Sequence, residues 1–139
     1  MNTRDVVKDI IMMSETDEKQ FRENFGLSRQ AYYDFKNRDG QMQIGKFKDY
    51  LRYLNAELYL IKGKSKVKVT DVREWILPAI LEEDFLDCED VAKITGYRSR
   101  DLAYACRGDN MATEKYLCIC AQLGWKLIVE WNETTYEVE

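Results

Sequence analysis

Histidine is entirely absent from the 139 residues of this chain. Its absence removes the usual general base of enzymes and the commonest metal ligand of proteins. The sequence also lacks a glycine-rich phosphate-binding loop and a nucleophile motif. Paired carboxylates such as Asp87 and Asp90 are too common at helix starts to indicate acid–base chemistry. We therefore expect a protein that is not an enzyme and that has no cofactor and no metal ion.

Long apolar runs are missing as well. No stretch of apolar residues reaches the length of a membrane span, and residues 1–9 are too polar for a signal peptide. Hydrophobic residues make up 45% of the chain, which excludes a disordered polypeptide. The expected protein is cytoplasmic, has no membrane partner, and forms one ordinary domain or two very small ones.

Cysteine is present but does not form a metal-binding pattern. The four cysteines are Cys88, Cys106, Cys118 and Cys120, and none of them belongs to a Cys-x-x-Cys pair. On a helix, Cys118 and Cys120 would lie on different faces because they are two residues apart. The spacing favours reduced and mostly buried thiols. A zinc site built from all four scattered thiols is the weaker alternative.

The charges are unevenly distributed along the chain. The net charge of −4 is unusual for a protein that binds nucleic acid. However, residues 1–70 contain 14 Lys+Arg and 10 Asp+Glu, a net charge of +4, whereas residues 71–139 contain 7 and 15, a net charge of −8. This difference suggests that the two halves have different partners.

The apolar pattern of the chain occurs twice. Gly96 follows Gly26 by 70 residues, and a one-residue deletion near Gly108 reduces the offset to 69. With that offset, four apolar residues of the first half match four of the second, namely Phe47, Leu54, Leu58 and Val69 with Tyr116, Leu123, Leu127 and Val138. We predict two units, residues 1–70 and 71–139, with the boundary between Thr70 and Asp71.

Each unit is predicted to contain four to five helices and a C-terminal β-hairpin, so the expected fold is mainly α-helical. The first helix of the first unit has an apolar stripe of Val6, Val7, Ile10 and Ile11. The next helix is capped by Ser14 or Thr16 and buries Phe21 and Phe25, and two further helices span residues 28–37 and 44–54. The first helix of the second unit has an apolar stripe of Val72, Trp75, Ile76 and Leu77, and Pro78 should kink or restart this helix. The next helix buries Val91 and Ile94, and two further helices span residues 98–107 and 113–123.

Two strands of alternating apolar and polar residues form the C-terminal end of each predicted unit. The two predicted turns are Gly63-Lys64 and Asn132-Glu133. An isolated hairpin is only marginally stable in water, so both hairpins should pack on the helices, and a joint sheet is one arrangement that achieves this.

Helical spacing favours a core role for four aromatic residues, Tyr32, Phe35, Tyr50 and Tyr53. Lysines at positions 64, 66 and 68 favour protection of a sheet edge.

The order of helix, glycine turn, helix, turn and further helix resembles the Cro and CI type of phage-repressor helix-turn-helix domain. The matching residues of the first unit are Gly26, Leu27, Ser28, Tyr32, Phe35, Ile44, Phe47, Tyr50 and Leu54. Those of the second unit are Gly96, Leu102, Ala105, Gly108, Tyr116, Leu117, Cys120, Leu123 and Gly124. The resemblance covers most of the chain except the hairpins, and it implies two tandem duplicated helix-turn-helix units.

In that family, the helix after the glycine turn enters the major groove of DNA. The resemblance assigns base contacts to Arg29, Gln30 and Tyr33 in the first unit and to Ser99 and Arg100 in the second. Arginine can pair with guanine and glutamine with adenine. The side chains expected at phosphates are Lys19, Ser28, Asn37, Arg38, Lys46, Arg98 and Arg107.

Two functions remain open from the sequence, and a combination of them is open as well, in which the first unit binds DNA and the second binds protein. The first is a sequence-specific regulator of a phage or prokaryote that binds double-stranded DNA as a monomeric pseudo-dimer or as a homodimer. The alternative is a protein-binding module whose acidic second unit occupies a basic groove of a nucleic-acid machine. The alternative depends on six clustered carboxylates, Glu82, Glu83, Asp84, Asp87, Glu89 and Asp90, which would oppose approach to a duplex.

Overall fold

The computed structural model of the chain describes residues 1–69, 76–107 and 111–139. Within these ranges, eight helices and four strands follow each other in an order that occurs twice, four helices and then a hairpin. The first half contains α1 (Thr3–Met13), α2 (Glu18–Phe25), α3 (Arg29–Asn37), α4 (Ile44–Tyr53), β1 (Glu57–Lys62) and β2 (Ser65–Lys68). The second contains α5 (Ile76–Asp84), α6 (Cys88–Thr95), α7 (Ser99–Arg107), α8 (Thr113–Gln122), β3 (Lys126–Trp131) and β4 (Thr134–Val138). The predicted predominance of helices over small hairpins is confirmed.

Polar caps and left-handed residues set the ends of these helices. Asp17 caps α2 by accepting a hydrogen bond from the backbone N–H of Gln20 at 3.1 Å. The predicted cap at Ser14 or Thr16 is wrong, because Ser14 instead ends α1 and its hydroxyl bonds to Thr16. Within the described part of α5, Pro78 is the third residue, and the helix continues beyond it to Asp84.

The two hairpins join in one antiparallel sheet with the strand order β2-β1-β3-β4. The central pair is β1 with β3, in which Tyr59 lies opposite Ile128 and Leu58 lies opposite Val129. Leu58, Leu60 and Val129 are fully buried, so the apolar faces of both hairpins are covered by the same core. The joint sheet considered from the sequence is therefore confirmed, and β2 with its lysines forms one edge.

Four pairs of equivalent elements keep the same offset at their first and last residues. Helices α6 and α7 begin and end 70 residues after α2 and α3, whereas α8 and β3 follow α4 and β1 by 69. Left-handed backbone conformations recur with the same offsets, at Glu15 and Phe85 and again at Gly63 and Asn132. The predicted deletion near Gly108, the boundary at Thr70–Asp71 and the side chains of Val72 and Trp75 lie outside the described residues.

A single hydrophobic core lies between the helices and the sheet. The predicted stripe of α1 is buried, as are Phe21, Tyr32, Phe35 and Tyr50. Phe25 is half-buried and packs on Phe21 and Tyr50. The prediction that Ile94 is buried is wrong, because its side chain is 53% exposed. The residues at positions 88, 91, 92 and 95 make the inner stripe of α6, and Ile94 lies beside that stripe.

Contacts outside the sheet also connect the two halves. The Tyr136 hydroxyl on β4 donates a hydrogen bond to Asp9 on α1 at 2.6 Å. The Thr113 hydroxyl at the start of α8 donates to the carbonyl of Met42 at 2.7 Å, and both groups are buried. In the part of the chain that the structure describes, no helix is long and apolar enough to span a lipid bilayer.

Candidate nucleic-acid interface

The turn between α2 and α3 has the geometry predicted for a helix-turn-helix. Gly26 ends α2 with φ of 63°, a left-handed conformation that favours glycine. The N–H of Leu27 bonds to the carbonyl of Arg22 at 2.8 Å, which satisfies an end carbonyl of α2. The Ser28 hydroxyl then accepts a hydrogen bond from the N–H of Ala31 at 3.0 Å and caps α3. The helix α3 therefore begins at Arg29, immediately after the turn.

Inward packing fixes which face of α3 is exposed. Tyr32 and Phe35 are buried, and the ring of Tyr32 packs edge-on against Phe21 with centroids 5.7 Å apart. Arg4 on α1 is only 8% exposed and donates a hydrogen bond through Nη1 to the carbonyl of Phe35 at 3.0 Å. Burial, with the positive charge of Arg38 adding to it, lowers the pKa of Arg4. The sequence reasoning missed this buried arginine, because no pattern marks it.

The exposed face of α3 brings the three predicted base-reading residues together. A surface groove of about 520 Å³ is lined by Glu18, Arg29, Gln30, Tyr32, Tyr33, Lys36 and Asn37. Tyr33 is 62% exposed. Lys36 was missed as a candidate, although it shares one helical face with Arg29 and Tyr33 at spacings of four and three residues. Its ammonium group lies 5.7 Å from the centroid of the Tyr32 ring.

Two polar side chains of this face are hydrogen-bonded within α3. The Gln30 amide donates to the carboxylate of Asp34 at 2.9 Å, and the Asn37 amide donates to the carbonyl of Tyr33 at 2.8 Å. The bond to Asp34 holds Gln30 in one orientation, and a base edge would have to replace it. Asp34 is thus a further residue of the face that the sequence reasoning missed, and its charge opposes phosphate.

The other phosphate contacts predicted for the first half, Lys19, Ser28, Arg38 and Lys46, do not line this groove. Lys19 is exposed on α2, Arg38 follows the last residue of α3, and Lys46 is exposed on the first turn of α4. The hydroxyl of Ser28 is already used as the cap of α3. Lys19, Arg38 and Lys46 are therefore exposed cations, whereas the side chain of Ser28 has a structural role.

The second half repeats the turn but presents different chemistry. Gly96 ends α6 with φ of 80°, and α7 begins at Ser99. Ser99, Arg100 and Arg107 are exposed. Arg98 is exposed too, and it forms an ion pair with Asp101, with its Nε 3.4 Å from the carboxylate. A groove of about 470 Å³ beside α7 is lined by Tyr97, Arg98, Asp101, Tyr104, Met111, Ala112 and Lys115.

The acidic stretch before α6 is partly structural. Asp87 and Asp90 form a reciprocal capping box, in which each side chain accepts from the backbone N–H of the other at 2.8 and 3.0 Å. Glu82, Glu83 and Glu89 are exposed. The three exposed glutamates thus place negative charge before and at the start of α6, and this charge opposes a polyanion.

Comparison with known proteins adds no relative. No protein-family model, no curated protein and no solved structure matches this chain. The function is therefore inferred from the exposed faces of α3 and α7 and from the sheet that joins the two halves containing them.

Proposed function

We propose that this protein binds double-stranded DNA in a sequence-specific manner, as a transcriptional regulator of the phage-repressor kind. One observation carries the proposal: α3 follows a left-handed glycine turn and exposes Arg29, Gln30 and Tyr33 while its opposite face is buried. The major groove of B-DNA admits an α-helix, and arginine and glutamine can each bond to two atoms of one base. The N-terminal end of α3 carries the side chains that this docking requires.

Cations around α3 provide the phosphate contacts of the proposed complex. Lys19, Lys36, Arg38 and Lys46 are exposed on three different elements near the α2–α3 turn. Such contacts orient a protein on the duplex without reading its sequence, and they make affinity fall steeply with salt. The first half is the stronger DNA-binding half in this proposal, since α7 has an ion-paired Arg98 and acidic surroundings.

We further infer that the chain is a tandem duplication that acts as a monomeric pseudo-dimer. The repeated element order and the constant offsets support a duplication. The β1–β3 pairing is also symmetric, because Tyr59 and Ile128 are equivalent positions and lie opposite each other. A twofold dimer interface is self-complementary in the same way. The proposed arrangement therefore relates α3 and α7 by an approximate twofold axis, which matches the dyad of a duplex with two half-sites.

Binding measurements with two matched double variants test this proposal. Fluorescence anisotropy of labelled duplexes, selected from random DNA, would be followed over a range of salt concentrations. We expect R29A/Q30A to lose about 1–3 kcal/mol of binding free energy for each bidentate contact and to relax sequence preference. The control S99A/R100A should lose less, because α7 lies in the acidic half. Affinity of the unmodified protein should fall steeply with salt.

Two outcomes would change the proposal. Equal losses in the two double variants would show that α3 and α7 read DNA symmetrically in spite of their different charges. A lack of duplex binding by the unmodified protein, even at low salt, would remove DNA binding altogether.

A second candidate function is protein binding by the acidic half, favoured by one observation. The ring of Phe85 is 93% exposed, next to the exposed carboxylates Glu82 and Glu83. A basic protein surface with an apolar socket would suit this chemistry. Reversal of charge in the variant E82K/E83K should raise nonspecific DNA affinity if repulsion keeps this half off the duplex. The same variant should lose binding to a basic protein partner if the second candidate is correct.

A further inference from the structure

Equivalent positions at the start of α3 and α7 carry different side chains. The offset of 70 residues pairs Arg29 with Ser99 and Gln30 with Arg100. All four residues are exposed. The helix α3 therefore presents arginine and then glutamine, whereas α7 presents serine and then arginine. The two halves repeat the helix but not the hydrogen-bonding groups that it offers to a base edge.

The difference continues into the next turn of both helices. Tyr33 is 62% exposed on α3, whereas its counterpart Ala103 is a half-buried residue with a single methyl group. Asp34 accepts a hydrogen bond from Gln30 at 2.9 Å, and the equivalent residue of α7 is Tyr104, which is exposed. A carboxylate that opposes phosphate is thus replaced by a neutral aromatic side chain. The exposed faces of α3 and α7 therefore differ at four consecutive or nearly consecutive positions.

The pairing of β1 with β3 gives these unlike helices a nearly symmetric arrangement. Exchange of the two halves, with an offset of 69 residues, converts the pair Leu58–Val129 into the pair Leu60–Leu127, and both pairs are present in the sheet. Because α3 and α7 belong to one chain, the sheet always joins one copy of each. A duplex that contacts both helices therefore meets two different readers in a fixed order.

We propose that this protein recognises a non-palindromic duplex, which has two unlike half-sites and is bound in one orientation. The inference rests on the proposed DNA binding and names the class of duplex. One half-site offers guanine and adenine to Arg29 and Gln30, and the other offers guanine to Arg100. A symmetric homodimer, by contrast, presents the same side chains twice and matches a palindrome.

The equivalence of Gln30 and Arg100 determines the cost of an incorrect half-site. In a palindrome made from the half-site of α3, Arg100 would face the adenine that suits Gln30. Loss of one bidentate contact should weaken binding about tenfold. In a palindrome made from the half-site of α7, both Arg29 and Gln30 would lose their bases. Loss of two such contacts should weaken binding about a hundredfold.

Three duplexes and the full-length protein test the proposal. The first duplex is the site selected from random DNA, and the other two are inverted repeats of each of its halves. The half-sites are assigned with R29A/Q30A and R100A, each of which should remove sequence preference in one half only. We expect anisotropy to show the tightest binding to the selected site. The α3 palindrome should bind about tenfold and the α7 palindrome about a hundredfold more weakly.

The variant S99R/R100Q gives α7 the first two side chains of α3 and should exchange the preferred duplex. Both positions are exposed, so the substitutions should leave the fold intact, which circular dichroism checks. We expect this variant to bind the α3 palindrome about tenfold more tightly than the originally selected site. The control R107Q, at the last residue of α7, should weaken binding to all three duplexes alike and leave their order unchanged.

The outcomes separate this inference from DNA binding itself. Tightest binding of the unmodified protein to the α3 palindrome would overturn the inference and leave DNA binding in place. Selection of a single half-site, or an unchanged order of duplexes in S99R/R100Q, would do the same. If random DNA yields no selected sequence at all, the inference and sequence-specific binding are both wrong.

Discussion

Phe85 combines two properties that folding alone does not favour. It follows α5 in the left-handed conformation, with φ of 54°, and its ring is 93% exposed. The conformation is imposed by the helix end, because the N–H of Leu86 bonds to the carbonyl of Leu81 at 3.0 Å. Glu15 has nearly the same φ at the equivalent position after α1. Glycine suits such a position best, and a ring that is 93% exposed contributes little packing energy.

Replacement of Phe85 with glycine should therefore stabilise the protein. The left-handed conformation costs a residue with Cβ about 1–2 kcal/mol, and the greater freedom of unfolded glycine offsets about 0.5–1 kcal/mol of this. We expect F85G to raise the free energy of unfolding by about 0.5–1 kcal/mol, measured by urea denaturation. The control E83G, inside α5, should lower it by about 1 kcal/mol. Destabilisation by F85G would show that the ring contributes packing energy.

At the scale of helices and strands, local signals predicted more of the structure than tertiary ones. Apolar periodicity and the glycine turns located α2, α3, α6 and α7, since a left-handed glycine ends a helix whatever surrounds it. The exposure of Ile94 and the burial of Arg4 were not predictable, because each depends on which neighbouring element packs there. The candidate face of α3 was predicted for the same local reason, whereas the bond from Gln30 to Asp34 required a rotamer that no pattern specifies.

Strand β4 depends on α1 through one hydrogen bond that crosses between the halves. The Tyr136 hydroxyl donates to Asp9, and burial followed by this bond raises the pKa of Tyr136 to about 12. An unfolded tyrosine has a pKa near 10, so the unfolded chain loses this proton first. Between about pH 10 and pH 12 the folded state holds more protons than the unfolded state, and stability falls as the pH rises.

The variant Y136F should weaken the protein and change this pH dependence. Loss of a bond to a carboxylate is expected to lower the free energy of unfolding by about 1–2 kcal/mol at pH 7. The decline in stability between about pH 10 and pH 12 should become shallower than in the unmodified chain. It should not disappear, because hydrogen bonding to Glu57 also raises the pKa of Tyr59 to about 12. An unchanged decline in urea denaturation at these pH values would contradict the assignment to Tyr136.

At the scale of the whole molecule, one sheet joins two halves that have the same order of elements. The strands β1 and β3 come from different halves and form the centre of the sheet. Separation of the halves would uncover Leu58, Leu60 and Val129, all of which are fully buried, and would expose the backbone groups of both central strands. We therefore expect the halves to unfold together, although the sequence indicates a boundary between them.

The distribution of tryptophan allows this cooperativity to be measured. Trp75, Trp125 and Trp131 all lie in the second half, so fluorescence reports on that half, whereas circular dichroism reports on the helices of both. In urea, the two signals of the unmodified chain should have the same midpoint.

The variant L60A removes a buried side chain from the first half and should lower stability by about 2–5 kcal/mol. Since the halves share the sheet, its fluorescence and dichroism midpoints should fall together. The control K64A, at the exposed turn of the first hairpin, should leave both midpoints unchanged. A dichroism midpoint that falls in L60A while the fluorescence midpoint stays in place would show that the halves unfold independently.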